Sequence, residues 1–147
     1  MTDNWFIAIV LAKSLLYIST TLVAGERFHQ LHTLSDSFYP SQPAVPGRLF
    51  TAIGTGLLSS VLLFLFTTGE MADNGFSGML DGMMLNIMWT AAPGDALLFR
   101  LSGFLLALLT LLPLFSPPVL NRFLFWLSTG CLSLSFIATG HTAGAPV

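Results

Sequence analysis

The chain has 147 residues, of which 54% are hydrophobic and only 8% charged, with a mean hydropathy of +0.79. Soluble domains carry about 25% charged residues, so the composition excludes an ordinary soluble fold and indicates one integral membrane domain at most. The formal net charge of −2 gives no basis for nucleic-acid binding, and a single cysteine, Cys131, excludes an internal disulfide or a CxxC site. Cys131 sits among apolar residues and is expected to be a small buried side chain.

A bilayer crossing takes about 20 mostly apolar residues. Four segments qualify, at roughly 5–24, 49–68, 96–114 and 119–140. The first is read as a retained span and not a signal peptide. Thr2-Asp3-Asn4 stands where basic residues would be, and no compact cleavage site follows. Residues 25–48 are polar, and Pro40, Pro43 and Pro46 make them an extended lead into the second span. Residues 69–95 hold Glu70, Asp73, Asp81 and Asp95 with no Lys or Arg. The third connection is tight, between Pro113 and the Pro117-Pro118 pair.

Basic loops face the cytoplasm. Arg27 and Arg48 flank the first connection and Arg122 lies at the third. The expected fold is therefore an all-α integral membrane protein, one four-helix domain over 1–147, with the 69–95 loop and both termini on the outer, periplasmic side. His29 and His32 then fall on the cytoplasmic side and His141 on the outer side, which disfavours a three-histidine metal centre within one chain.

Each span carries small or polar residues at helical spacing: Lys13, Tyr17, Thr20 and Ala24; Thr51, Thr55 and Ser59 beside Ala52, Gly56 and Ser60; Arg100, Gly103, Ala107 and Thr110; Thr129, Ser133 and Gly140 beside Gly130. Such stripes let helix backbones approach, and their hydroxyls are expected to bond across helices. Lys13 and Arg100 need more than packing. Lys13 lies about 12 Å below the start of its helix at 1.5 Å per residue. A charge at such depth costs ~2.5 kcal/mol or more on insertion scales. It must find a partner, line a wet cavity or lose its proton. No acidic residue lies within a span, so the candidate partners are Asp73, Asp81 and Asp95 in the outer loop, with Tyr17 one turn away. Arg100 is shallower and can snorkel or pair with Asp95 or Asp81.

Five of the six methionines fall in 71–88: Met71, Met79, Met83, Met84 and Met88. Thioethers are soft ligands that suit Cu(I). If 79–89 is one helix, Met84 and Met88 share a face, as do Met79 and Met83. The same helix, ending in Trp89, could instead lie on the bilayer surface with its methionines in lipid. His29 and His32 beside Glu26 form a second metal candidate on a helical extension of the first span. No nucleophile–base pair, phosphate loop or paired-carboxylate site is visible. Haem would want histidines facing each other inside the bundle, and none sits mid-span.

Three stretches together resemble the copper resistance protein D (CopD) family of bacterial inner-membrane proteins. They are Leu22-Val23-Ala24-Gly25-Glu26-Arg27-Phe28, the run Gly78-Met79-Leu80-Asp81-Gly82-Met83-Met84-Leu85 leading to Thr90, Gly94 and Arg100-Leu101, and the ending Ala138-Thr139-Gly140-His141-Thr142-Ala143. The ending is similar to the family's Gly-His-Ala element, with Thr142 for its alanine, and Gly82 replaces the proline of its Asp-Pro-x-Met-Leu pattern. The resemblance covers the N-terminal half of a typical member. The other half, opening on a helix with a histidine and a Trp-x-Gly element, lies beyond this sequence. The chain is thus read as a fragment or as a half-size protein that associates with a second membrane chain or with itself.

The resemblance implies copper homeostasis or transport at the bacterial inner membrane, with no enzymatic reaction and with a periplasmic copper carrier as a partner. In this reading copper enters at an outer-face site of His141, Met79, Met83, Met84 and Met88. Lys13 and Arg100 would repel Cu(I), so they are assigned to Asp81 or Asp95, fixing the loop. The alternatives are a non-catalytic membrane scaffold or assembly subunit, which the absent half favours, and a haem- or quinone-binding redox protein, which the histidine positions disfavour.

Overall fold

Within hydrocarbon a backbone satisfies its polar groups most simply as a helix, and the apolar segments do so here. The computed structural model describes residues 2–33, 47–112 and 118–140. All regular structure among them is helical: α1 (Thr2–Thr33), α2 (Gly47–Ala72), a 3-10 helix (Gly75–Leu80), α3 (Gly82–Trp89), α4 (Ala92–Leu109) and α5 (Pro118–Gly140). Four of these contain stretches long and apolar enough to cross a membrane, Asn4–His29, Gly47–Ala72, Ala92–Leu109 and Val119–Thr139. The chain is a multi-pass, all-helical membrane protein.

Several elements differ from their expected bounds. α1 continues past Ala24 to Thr33, so the start of the first connection is helix. α4 begins at Ala92, with Pro93 in its first turn, where the missing N–H loses no helical hydrogen bond. The 69–95 segment is mostly helical. It is broken at Asp81, which is extended (φ −65°, ψ 115°), so 79–89 is not a single helix and Met79 and Met83 share no helical face. Residues 34–46 and 113–117, with Pro40, Pro43, Pro46, Pro113 and Pro117, lie outside the described residues, as does His141.

α1 packs on α2, α2 on α4, and α4 on α5, while α1 and α5 meet over a short stretch. The buried face of α1 is Ile9, Ala12, Leu16, Ser19 and Val23. Its 3/4 spacing is what a helix needs to bury one stripe. Two glycines set the interhelical distances. A Cβ on Gly56 would come within 2.2 Å of the Phe104 ring, and one on Gly103 within 2.7 Å of Leu132. The small-residue stripes of α2 and α4 are thus packed faces. That of α5 is not: Gly130 and Ser133 are exposed, and the buried face is Leu124, Phe125, Ser128, Leu132 and Ser135. Cys131 beside it is half-buried, not fully enclosed.

Most stripe hydroxyls bond within their own helix. Thr20, Ser60 and Thr129 each donate to the carbonyl four residues earlier, as does Ser59 to Thr55. That bond is always at hand inside a helix. Ser128 is the clear crossing, its Oγ donating to the Gly103 carbonyl at 2.8 Å.

Chain direction places the start of α1, the 69–95 segment and the end of α5 at one end of the bundle. Trp5 anchors that end. Its ring lies 5.5 Å from Phe76 and 6.2 Å from Phe66, over Gly69.

Candidate functional site

Residues in the half of the bundle nearer the methionine-rich end converge from all four long helices. They line a cavity of about 290 Å³: Lys13 and Tyr17 from α1, Thr67 from α2, Pro93 and Arg100 from α4, and Phe136 and Thr139 from α5. Leu16, Leu63 and Phe64 complete the wall. Arg100 is eight residues into α4, about 12 Å along the axis. It is only 5% exposed, and its Nε is buried with no hydrogen-bond partner. Lys13 and Tyr17 are exposed and line the same space. The cavity therefore reaches the bundle surface along α1, beside the contact of Tyr17 with Phe136 of α5, whose ring centroids are 5.2 Å apart.

The wall does little to offset this charge. Thr67 donates its hydroxyl to the Leu63 carbonyl at 2.7 Å, and Thr139 donates to the carbonyls of Ser135 and Phe136 at 3.2 Å. Among the described residues no carboxylate lines the cavity. A charged side chain at mid-membrane costs about 2.5–3.5 kcal/mol on insertion scales, and leaving a buried donor unmet adds about 1–3 kcal/mol.

Asp81 and Asp95 are not the partners of Lys13 and Arg100 among the described residues. The Asp81 carboxylate caps α3, accepting from the Met83 amide at 2.9 Å and the Met84 amide at 3.0 Å. A free helix N-terminus two and three residues away outcompetes a cation across the bundle. Asp95 is exposed in the first turn of α4, where the helix dipole favours a carboxylate. Asp73 is exposed as well, in a turn with φ 48°.

The methionines separate. Met88 is 3% exposed and packs with Phe64 and Leu97. Met84 is half-buried one turn before it, on the face of α3 turned to the bundle. Met79 is half-buried against Gly69, and Met83 is 77% exposed. The end thus presents thioethers at three depths. Gly94 holds α3 and α4 in close apposition, since a Cβ there would come within 2.1 Å of the Trp89 carbonyl oxygen. Gly140, the residue before His141, closes α5 at this same end.

The opposite end is organised by arginine. Arg27 of α1 donates from Nε to the Thr110 hydroxyl at 3.1 Å and from Nη2 to the Thr110 carbonyl at 2.5 Å. Asn121 of α5 donates to that carbonyl at 2.9 Å. Arg48 pairs with Glu26 at 2.8 Å. His29 is exposed on α1, and the side chain of His32 lies outside the described residues. Among the described residues no group of three His, Cys, Asp or Glu side chains gathers as a metal site.

Sequence reasoning singled out Lys13, Tyr17 and Arg100 but missed Thr67, Pro93, Phe136 and Thr139 as their companions. Each lies within about two turns of its helix's outer-loop end, so matching depth across the spans was the available signal.

Among curated proteins no relative matches the chain, and no solved structure matches it. The family described as "Copper resistance protein D-like, N-terminal domain" matches residues 1–146, nearly the whole chain. That match, on a bundle of four helices able to cross a membrane, places the chain in the copper resistance protein D-like family, as its N-terminal domain.

Proposed function

We propose that this domain handles copper at the bacterial inner membrane, taking the ion at the outer face of the bundle. Copper is the cargo, and no chemical conversion is required of the chain. Family membership supports the metal. The observation that carries the site is that Met79, Met83 and Met84, at graded exposure, lie at the end of the bundle where α5 closes at Gly140, one residue before His141 in the sequence. A neutral imidazole and thioethers suit Cu(I). Exposed Met83 is placed to receive the ion, with half-buried Met84 and Met79 behind it, while Met88 serves packing. Outer-side placement of this end, and of both termini, is supported by the absence of Lys and Arg from 69–95 against Arg27, Arg48 and Arg122 at the other end. A periplasmic copper carrier would deliver to this end.

The test is Cu(I) titration of the purified chain against a competing chelator. We expect His141→Ala and a combined Met79/Met83/Met84→Leu variant each to weaken affinity at least tenfold, while Met88→Leu costs much less. Unchanged affinity in both of the first two would remove the site. A second reading, an assembly subunit, draws support from α5, where Gly130 and Ser133 form an exposed small-residue face. Recovery of a stoichiometric second membrane chain, with no copper bound, would put that reading in place of the first.

A further inference from the structure

Two cations share the interior cavity, and nothing described in its wall carries the opposite charge. Arg100 is the sharper case: it is 5% exposed, lines the cavity, and keeps a buried Nε without a partner. Lys13 and Tyr17 face the same space and make no hydrogen bond from their side-chain ends among the described residues. The hydroxyls of Thr67 and Thr139 are already committed to backbone carbonyls. The cavity therefore holds two cations whose described surroundings offer hydroxyl oxygens as neutral acceptors but no negative charge. Copper cannot supply it, because it adds positive charge. A neutral acceptor such as a quinone carbonyl would take a hydrogen bond and leave both charges uncompensated in a low-dielectric setting.

We propose that this cavity binds a phosphate-type oxyanion, held by the Arg100 guanidinium and the Lys13 ammonium, with the Tyr17 hydroxyl as third donor. Guanidinium presents paired N–H donors that match two oxygens of one phosphate, and ammonium adds a point charge from α1. The volume of about 290 Å³ exceeds what inorganic phosphate needs and accommodates a headgroup fragment. The cavity reaches the surface of the bundle at the exposed Lys13 and Tyr17, so a phospholipid headgroup and dissolved phosphate are both sources of the same chemistry. The proposal stands apart from the copper reading, since it uses none of the methionines or His141.

The full chain, purified and delipidated in dodecyl maltoside and phosphate-free buffer, decides the matter through its thermal unfolding midpoint. In one arm inorganic phosphate is titrated against sodium chloride at matched ionic strength. In the other, phosphatidylglycerol is titrated against diacylglycerol with the same acyl chains. A saturable rise in the midpoint with phosphate assigns a dissolved oxyanion, and a rise with phosphatidylglycerol alone assigns a lipid headgroup. In either case Arg100→Gln and Lys13→Gln shift half-saturation at least tenfold, Tyr17→Phe shifts it a few-fold, and Arg122→Gln, at the other end, leaves it unchanged. Lys13 is exposed, so its variant keeps the test decisive even where Arg100→Gln does not fold. The proposal is overturned if neither anion moves the midpoint beyond its control. It is equally overturned if Lys13→Gln and Arg122→Gln respond alike.

Discussion

The two ends of the bundle use the same side chain in opposite ways. At one end Arg27 spans from α1 to α4 and donates twice to Thr110, whose carbonyl also receives Asn121 from α5. At the other, Arg100 lies deep in α4 beside a cavity, with a buried nitrogen that donates to nothing described. Both are arginines in an apolar bundle, and both pay for desolvation. Only the first is compensated by the fold itself. A half-buried arginine bonded across helices is a structural tie, whereas a buried one left unbonded in a cavity with a second cation marks a place where something else supplies the counter-charge.

The sharpest way to break this contrast is Arg27→Met. α1 has little direct packing against α4, so the Arg27–Thr110 contact is a main tie between them. Hydrogen bonds from a charged donor contribute about 1.5–3 kcal/mol, and although Asn121 keeps its bond to the Thr110 carbonyl, the hydroxyl of Thr110, a residue only 5% exposed, loses its donor. A loss of about 2–3 kcal/mol is expected, read from unfolding in mixed micelles. A loss below about 0.5 kcal/mol would show that the tie is replaceable by water.

Arg100→Met is the mirror experiment and runs the other way. In phosphate-free detergent it removes an uncompensated buried charge and fills the same volume with a thioether chain. Replacing buried charges by well-packed apolar residues is often neutral or stabilising, by roughly 1–4 kcal/mol. Here a gain of about 1 kcal/mol is expected, since part of the side chain borders the open cavity. Destabilisation of the size seen for Arg27→Met would mean that Arg100 is bonded in the native protein, and the contrast between the two ends would collapse.

Much of this architecture was legible in the sequence, because bilayer length and helical hydrogen bonding leave few options for apolar runs of this size. The helices themselves, the Lys13/Arg100 anomaly and the family all followed from local pattern. What escaped was pairing at a distance. Asp81 looked like a counter-charge for Lys13, yet it stands two and three residues before free amides, and the local cap wins. Thr20 and Ser60 looked like interhelical donors, yet the carbonyl four residues back was nearer. In α5 the polar stripe and the packed stripe differ, and composition cannot say which one a neighbour covers. The candidate copper residues were named from chemistry alone. The structure separates Met88, which packs, from Met83, which does not.

The smallest expected effect concerns a second arginine of the bonded end. Arg48 meets Glu26 at 2.8 Å, a shorter distance than Arg27 Nε to the Thr110 hydroxyl, but its side chain is 72% exposed. Exposed ion pairs contribute about 0.2–1 kcal/mol and are screened by salt. Arg48→Gln should therefore cost less than about 1 kcal/mol at low ionic strength and almost nothing in about 0.5 M salt, where the Debye length falls to roughly 4 Å. Arg27→Met should keep its cost under the same salt, because its acceptors are inside the bundle. If the two variants instead respond to salt alike, exposure is not what separates a tie from a surface contact here. The burial of Arg100 would then be a weaker sign of a waiting ligand.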